Sequence, residues 1–180
     1  PVQVGSDTTW SSICADSKNS YGIKTDGTLW SWGKASTGEL GNNNKTQRSS
    51  PIQVGSDTTW KEIYGAFENA YATKTDGTLW SWGYNGQGQL GQNNRTDYSS
   101  PKQIPGTTWS KVRGGEKAVA AIKTDGTLWA WGENSNHGQL GHNNRTDYSS
   151  PVQIPGTTWS DVAFDWYMSS YAIKTDGTLW

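Results

Sequence analysis

The sequence predicts an all-β protein, a β-propeller built of four-stranded blades, and three observations lead there. The first is an internal period of about 50 residues: Pro1, Pro51, Pro101 and Pro151 are 50 apart, and Asp26, Asp76, Asp125 and Asp176 are 50, 49 and 51 apart. Periods of this size belong to units that cannot bury their own hydrophobic surface and stack on their neighbours. The second is that each period carries short strand candidates bounded by turn residues. The third is that no segment offers ten residues of helical periodicity between caps.

Within a period the elements follow in order. P-x-Q-V/I (51–54) and W-x-x-I/V (60–63) read as the first two strands, Y-A-x-K-T (71–75) and T-L-W-S-W (78–82) as the third and fourth. Asp76-Gly77 joins the last two, because its Gly accepts positive φ and closes a tight hairpin. The string T-D-G-T-L-W occurs four times, from Thr25, Thr75, Thr124 and Thr175. Side chains alternate along a strand, so Trp80 and Trp82 point to one face and Leu79 to the other. Both faces are apolar, as the inner strands of a layered stack require. A loop W-G-x(4)-G-Q/E-L-G-x-N-N, rich in Gly and Asn, then leads to the next proline. Four strands in four periods make sixteen, in one segment, 1–180, with repeats 1–50, 51–100, 101–150 and a shorter 151–180.

Composition fits such a stack. Leu, Ile, Val and Phe number 24, about 13% of 180 residues, but 12 Trp and 8 Tyr stand in for them, each large ring burying roughly 150–250 Å². Eleven of the Trp fall on three repeat positions, and Trp166 is the exception. The net charge is −1, with 15 basic residues scattered along the chain, which argues against nucleic acid as a partner. No run of about 18 apolar residues is present, so membrane insertion is not expected. Cys14 is alone and sets no disulfide framework. The chain opens at Pro1 rather than Met, as a processed chain or a piece of a longer one would.

The string 72–83 (A-T-K-T-D-G-T-L-W-S-W-G), followed by Asn85, Gly88-Gln89-Leu90-Gly91 and Pro101, resembles the repeat of the regulator of chromosome condensation (RCC1) family. The resemblance covers essentially the whole chain. It implies a propeller, usually a ring of seven blades, so four repeats imply a partial ring completed by a longer chain or by a second copy. Family repeats commonly carry a His before the third strand, where this sequence has Asn19, Asn69, Ala118 and Ser169. The near-identical copies look like bacterial or bacteriophage members, which points to an extracellular or virion-surface location.

Catalytic and metal chemistry find little support in the residues. His137 and His142 share one loop, with no third ligand type recurring beside them. The Asp of each D-G turn is explained by turn chemistry. No phosphate-loop, H-E-x-x-H or EF-hand string is present, and no cofactor is expected. Asn44, Asn94 and Asn144 each open an N-x-T glycosylation string, read most simply as three copies of one loop.

If shared positions build the blades, function sits where the copies differ: 14–19, 64–69, 113–117 and 163–169 before the third strand, and 34–37, 84–87 and 133–137 after W-G. These stretches supply the candidate partner-binding residues Tyr64, Phe67, Tyr84, His137, Phe164, Asp165, Trp166 and Tyr167, mostly the aromatic types enriched in interfaces. The expected function is non-enzymatic: a recognition or structural module presenting variable loops to a protein or glycan. The alternative implied by the resemblance is a guanine-nucleotide exchange factor for a small GTPase, though each period stays within one residue of 50 and leaves no room for an inserted wedge. An ultraviolet sensor of the plant branch would need a G-W-R-H-T string, which is absent.

Overall fold

A computed structural model describes residues 3–165 and 169–180 of the chain. It is all-β, with fourteen strands among the described residues and no helix. The first sheet joins β1 (Trp10–Ala15), β2 (Asn19–Lys24), β3 (Leu29–Gly33) and β4 (Arg48–Gln53) in that order. The second joins β5 (Trp60–Ala66), β6 (Asn69–Lys74), β7 (Leu79–Gly83) and β8 (Tyr98–Ile104), and the third β9 (Trp109–Gly114), β10 (Ala118–Lys123), β11 (Leu128–Gly132) and β12 (Tyr148–Ile154). The fourth has β13 (Trp159–Phe164) and β14 (Ser170–Lys174), with a single bridge from Ile173 to Leu179 beyond them. Every pairing is antiparallel.

The proline strand closes the sheet that precedes it. Gln53 pairs with Trp30, Gln103 with Trp80 and Gln153 with Trp129. A blade therefore runs from one W-x-x-I/V strand to the P-x-Q strand of the following repeat, and each sequence repeat straddles two sheets.

Neighbouring blades touch chiefly through β1, β5, β9 and β13, the innermost strands, while β4, β8 and β12 fan outward. Three apolar clusters fill the wedges between sheets. Between the first two lie Leu29, Val54, Trp60, Ile63 and Trp82; between the next two, Leu79, Ile104, Trp109, Val112 and Trp131; then Leu128, Trp159 and Val162. Trp82 thus faces the preceding blade and Leu79 the following one, as strand alternation requires. The indole N–H of Trp82 donates to the Glu39 carbonyl at 2.8 Å, and that of Trp131 to the Gln89 carbonyl at 2.7 Å. The hydroxyls of Tyr21 and Tyr71, on each preceding blade, share those acceptors.

The hairpins repeat one local solution. Asp76 accepts the backbone N–H and hydroxyl of Thr78, whose oxygen accepts the Trp80 indole N–H at 2.9 Å. Gly27, at φ +78°, lies so close to the next blade that a Cβ there would sit 1.9 Å from the Thr58 carbonyl oxygen. The Lys74 ammonium lies 3.9 Å from the Trp80 ring centre and 4.7 Å from that of Trp60, each cation–π contact contributing about 0.5–1 kcal/mol. Lys24, Lys123 and Lys174 repeat the arrangement. No helix among the described residues is long and apolar enough to cross a membrane.

Candidate functional site

At one end of the inner strands, the turns that leave β1, β5, β9 and β13 lie side by side and enclose a groove of about 270 Å³. Its walls carry Asp16, Tyr64, Phe67, Phe164 and Asp165, and its floor is backbone at Gly65, Gly114 and Gly115. The glycines permit the close approach. A Cβ on Gly115 would stand 3.3 Å from the Asp165 carbonyl oxygen and 3.5 Å from the Phe164 Cβ, and one on Gly65 would stand 3.1 Å from the Tyr21 ring.

Side-chain capping holds the turns. The Asp16 carboxylate accepts the backbone N–H groups of Lys18 at 2.7 Å and Asn19 at 2.8 Å, an Asx-type closure. Burial pushes its carboxyl above the ordinary range, against these hydrogen bonds. Asp165 caps the fourth turn, accepting Ser169 N–H at 2.7 Å. On the rim, Glu68 of the second blade pairs with Lys34 and Lys18 of the first, and those hydrogen bonds hold its carboxyl below the ordinary range. The rim charges are therefore paired, and the aromatic wall is the apolar feature left facing the groove.

Of the residues expected to bind a partner, Tyr64, Phe67, Phe164 and Asp165 come together here. Tyr64 also works inside the fold: its hydroxyl donates to the Gly114 carbonyl at 2.9 Å, and the Arg113 guanidinium lies 5.5 Å from its ring centre. Phe67 is half-buried, with the Lys18 ammonium 5.6 Å from its ring centre. Tyr84 sits at the same end, its backbone N–H donating to the Glu68 carbonyl, and its ring is turned back on Gly86. His137 is exposed in the loop after β11 and does not line the groove. Trp166 and Tyr167 lie outside the described residues.

Sequence reasoning passed over Asp16 and the glycines of the floor. Two signals could have found them: an Asp three residues before the Asn that opens β2, and Gly65 and Gly114 at one repeat position ahead of the turns. Among the described residues no group of three His, Cys, Asp or Glu is placed to hold a metal.

The Regulator of chromosome condensation (RCC1) repeat matches residues 26–64, 76–122 and 125–166. The chain belongs to the RCC1 repeat family. Each matched stretch runs from one sheet into the inner strand of the next, the second continuing into β10, so the match crosses sheets as the strand pairing does. Among solved structures, human WBSCR16 superposes with a TM-score of 0.81 at 21% identity, over 97% of this chain and 48% of its own. Prp20p from Saccharomyces cerevisiae, described with its binding properties to Gsp1p and histones, gives 0.80 at 18% over 99% and 47%. Yeast RCC1 (Prp20) bound to Kap60 gives 0.79 at 19% over 99% and 44%. The likeness establishes an RCC1-type propeller fold, and the chain spans about half the length of these relatives. No curated protein sequence matches it.

Proposed function

We propose that this chain is a non-enzymatic recognition module that takes a segment of a partner protein in the groove where the inner-strand turns meet. One observation carries the reading: the variable stretches before the third strands, at 15–17, 64–67, 114–115 and 164–165, line a single groove that carries Phe67, Phe164 and Asp165. Shared positions are spent on blade packing, so the groove is where this chain is unlike a generic stack. Half-exposed aromatic rings at a concave surface are the side chains that contribute most to protein interfaces. Yeast Prp20p, with the same architecture, is described as binding Gsp1p and histones, and Kap60 in a second structure. The bacterial or bacteriophage origin, and with it an extracellular or virion-surface place, belongs to this reading and rests on the near-identity of the repeats.

The test is affinity capture from candidate host extracts with identification of retained proteins, run beside a glycan array. Retention by the parent chain that drops at least about tenfold in Phe67→Ala and in Phe164→Ala supports the reading. Retention indifferent to both substitutions refutes the groove. Binding on the glycan array alone replaces the protein partner by a carbohydrate, and accelerated nucleotide release from a small GTPase replaces the module by an exchange factor.

A further inference from the structure

The three N-x-T strings stand at one repeat position, in the loops that join β3 to β4, β7 to β8 and β11 to β12. In each, the Asn side-chain oxygen accepts the backbone N–H of the Thr two residues on at 2.9 Å, which closes an Asx turn. What differs is the amide nitrogen. Asn94 Nδ2 donates to the Gln92 carbonyl and to the Tyr98 hydroxyl, both at 3.0 Å. Asn144 Nδ2 donates to the His142 carbonyl at 3.2 Å and to the Tyr148 hydroxyl at 3.1 Å. Asn44 Nδ2 has one acceptor among the described residues, the Asn42 carbonyl at 3.3 Å, because Arg48 stands where the tyrosine would be.

The backbone around the string differs in the same sense. In the second blade the buried Asn85 clamps the loop. Its N–H donates to the Asp97 carboxylate, its amide nitrogen to the carbonyls of Asn94 and Thr96, and its side-chain oxygen accepts the Leu90 N–H. In the third blade Asn134 bonds Asp147, the Asn144 carbonyl and Leu140 in the same way. In the first blade Ala35 and Gln47 replace the clamp and its carboxylate, and no described side chain takes the Asn44 or Thr46 carbonyl. The partners of Asn94 and Asn144 all lie in their own blades, so the first loop is held less tightly by virtue of its own residues. Local opening costs least where the fewest hydrogen bonds hold a segment. Transfer of a sugar to Asn requires such an opening, because the amide nitrogen must leave its hydrogen bonds and the string must enter an enzyme's cleft.

We propose that Asn44 is a site of N-linked glycosylation in the folded protein, set apart from Asn94 and Asn144 by the absent tyrosine and clamp. The co-substrate is a sugar activated as a glycosyl phosphate ester. Asn44 Nδ2 attacks the anomeric carbon, and the N–C bond forms as the bond from that carbon to the phosphate oxygen breaks. The phosphate departs with the electron pair, and one Nδ2 proton passes to a base of the transferase. Lys45 and Thr46 beside the site are exposed, as are their equivalents in the other two loops, so access alone does not distinguish the three. The attached sugar is a bulky, solubilising group on the loop between β3 and β4.

The experiment incubates the folded chain with an N-x-T-specific glycosyltransferase and UDP-glucose and follows each site by peptide mass spectrometry. Each rate is divided by that of a synthetic peptide of the same sequence, 40–50, 90–100 or 140–150, which removes the enzyme's preference for the string itself. Asn44 is expected to react at least about tenfold faster, on this relative scale, than Asn94 or Asn144. Arg48→Tyr supplies the second acceptor and should slow Asn44 about threefold or more, and Tyr98→Phe, which removes only a hydroxyl, should speed Asn94 by a similar factor. A melting curve confirms that each variant is folded. Equal relative rates at the three sites, a faster rate at Asn94 or Asn144, or a folded chain that takes no sugar where its peptides do overturns the proposal. So do folded variants that leave both rates unchanged. The groove reading stands or falls separately, since none of these residues lines the groove.

Discussion

Trp32 and Trp82 occupy the same place in the same string, L-W-S-W-G, yet the structure assigns them different energies. Trp82 is fully buried. It lies edge-on to Tyr21 with ring centres 6.4 Å apart and to Trp60 at 6.3 Å, and it fills the space against Gly41. Removing its ring by Trp82→Ala opens a cavity between the first two blades and should cost about 3–5 kcal/mol. The lost indole hydrogen bond adds little, because the Tyr21 hydroxyl still donates to the Glu39 carbonyl. Trp32 is half-exposed and contacts the Trp10 ring, so the same substitution removes about half the burial and should cost about 1–2 kcal/mol. Denaturant unfolding of both variants measures the difference. Hydrogen exchange localises it: Trp82→Ala should speed exchange in 38–41 on the neighbouring blade, and Trp32→Ala should leave that loop unchanged. Equal losses, or a larger loss at Trp32, would refute the account of the blade junction.

Two further outcomes follow from the hairpin end of the blades. Gly27 and Gly177 both sit in D-G turns at positive φ, but a Cβ on Gly27 would collide with the Thr58 carbonyl while one on Gly177 would meet nothing within 4 Å. Gly177→Ala should therefore cost only the left-handed backbone term of about 1–2 kcal/mol, and Gly27→Ala distinctly more; equal melting shifts would contradict the docked turn. Asp57 hydrogen-bonds the Lys74 ammonium and Thr59, which together lower its carboxyl from the ordinary 3.8 to about 2. A folded-state pKa below the unfolded one stabilises above the unfolded value and loses that effect as pH falls toward 2. The urea midpoints of the parent and Asp57→Asn should thus differ at neutral pH and converge between about pH 4 and pH 2; a difference independent of pH would rule out the pairing.

The blade was legible because its signals are local and fourfold. The D-G turn, the alternation of Trp80 and Trp82 against Leu79, and the 50-residue spacing each depend on residues close in sequence, and each recurs. The sheet to which the proline strand belongs was not legible. Gln53 could pair within its own repeat or with the one before, and only the register of Gln53 on Trp30 decides it. The W-G loop raises the same difficulty. Its role is read from the Glu39 carbonyl, which accepts a donor 43 residues away on the next blade, and a carbonyl leaves no mark in a sequence.

Variation between copies proved a mixed guide to the site, and the reason lies in how neighbouring blades compensate. The position after Ile13, Ile63, Val112 and Val162 holds Cys14, Tyr64, Arg113 and Ala163, as variable as any in the chain. Yet the Cys14 sulfur accepts the Gly65 N–H from the next blade, and the Tyr64 hydroxyl reaches the Gly114 carbonyl one blade further on. Each residue matches a particular neighbour, so the position varies because the junctions do. The inner sheets show the same trade: Ala120 replaces the tyrosine found at Tyr21 and Tyr71, and the carbonyl of Gln139, equivalent to those that accept the tyrosine hydroxyls, takes a hydrogen bond from Ser170 on the following blade instead. Variation that has a partner across a junction belongs to the fold. Phe67, Phe164 and Asp165 vary and line the groove as well, although Phe67 meets the Lys18 ammonium of the preceding blade and Phe164 packs against the third apolar cluster. On this argument Tyr64→Phe should lower stability, whereas Phe67→Ala should weaken partner binding under conditions in which the variant is fully folded.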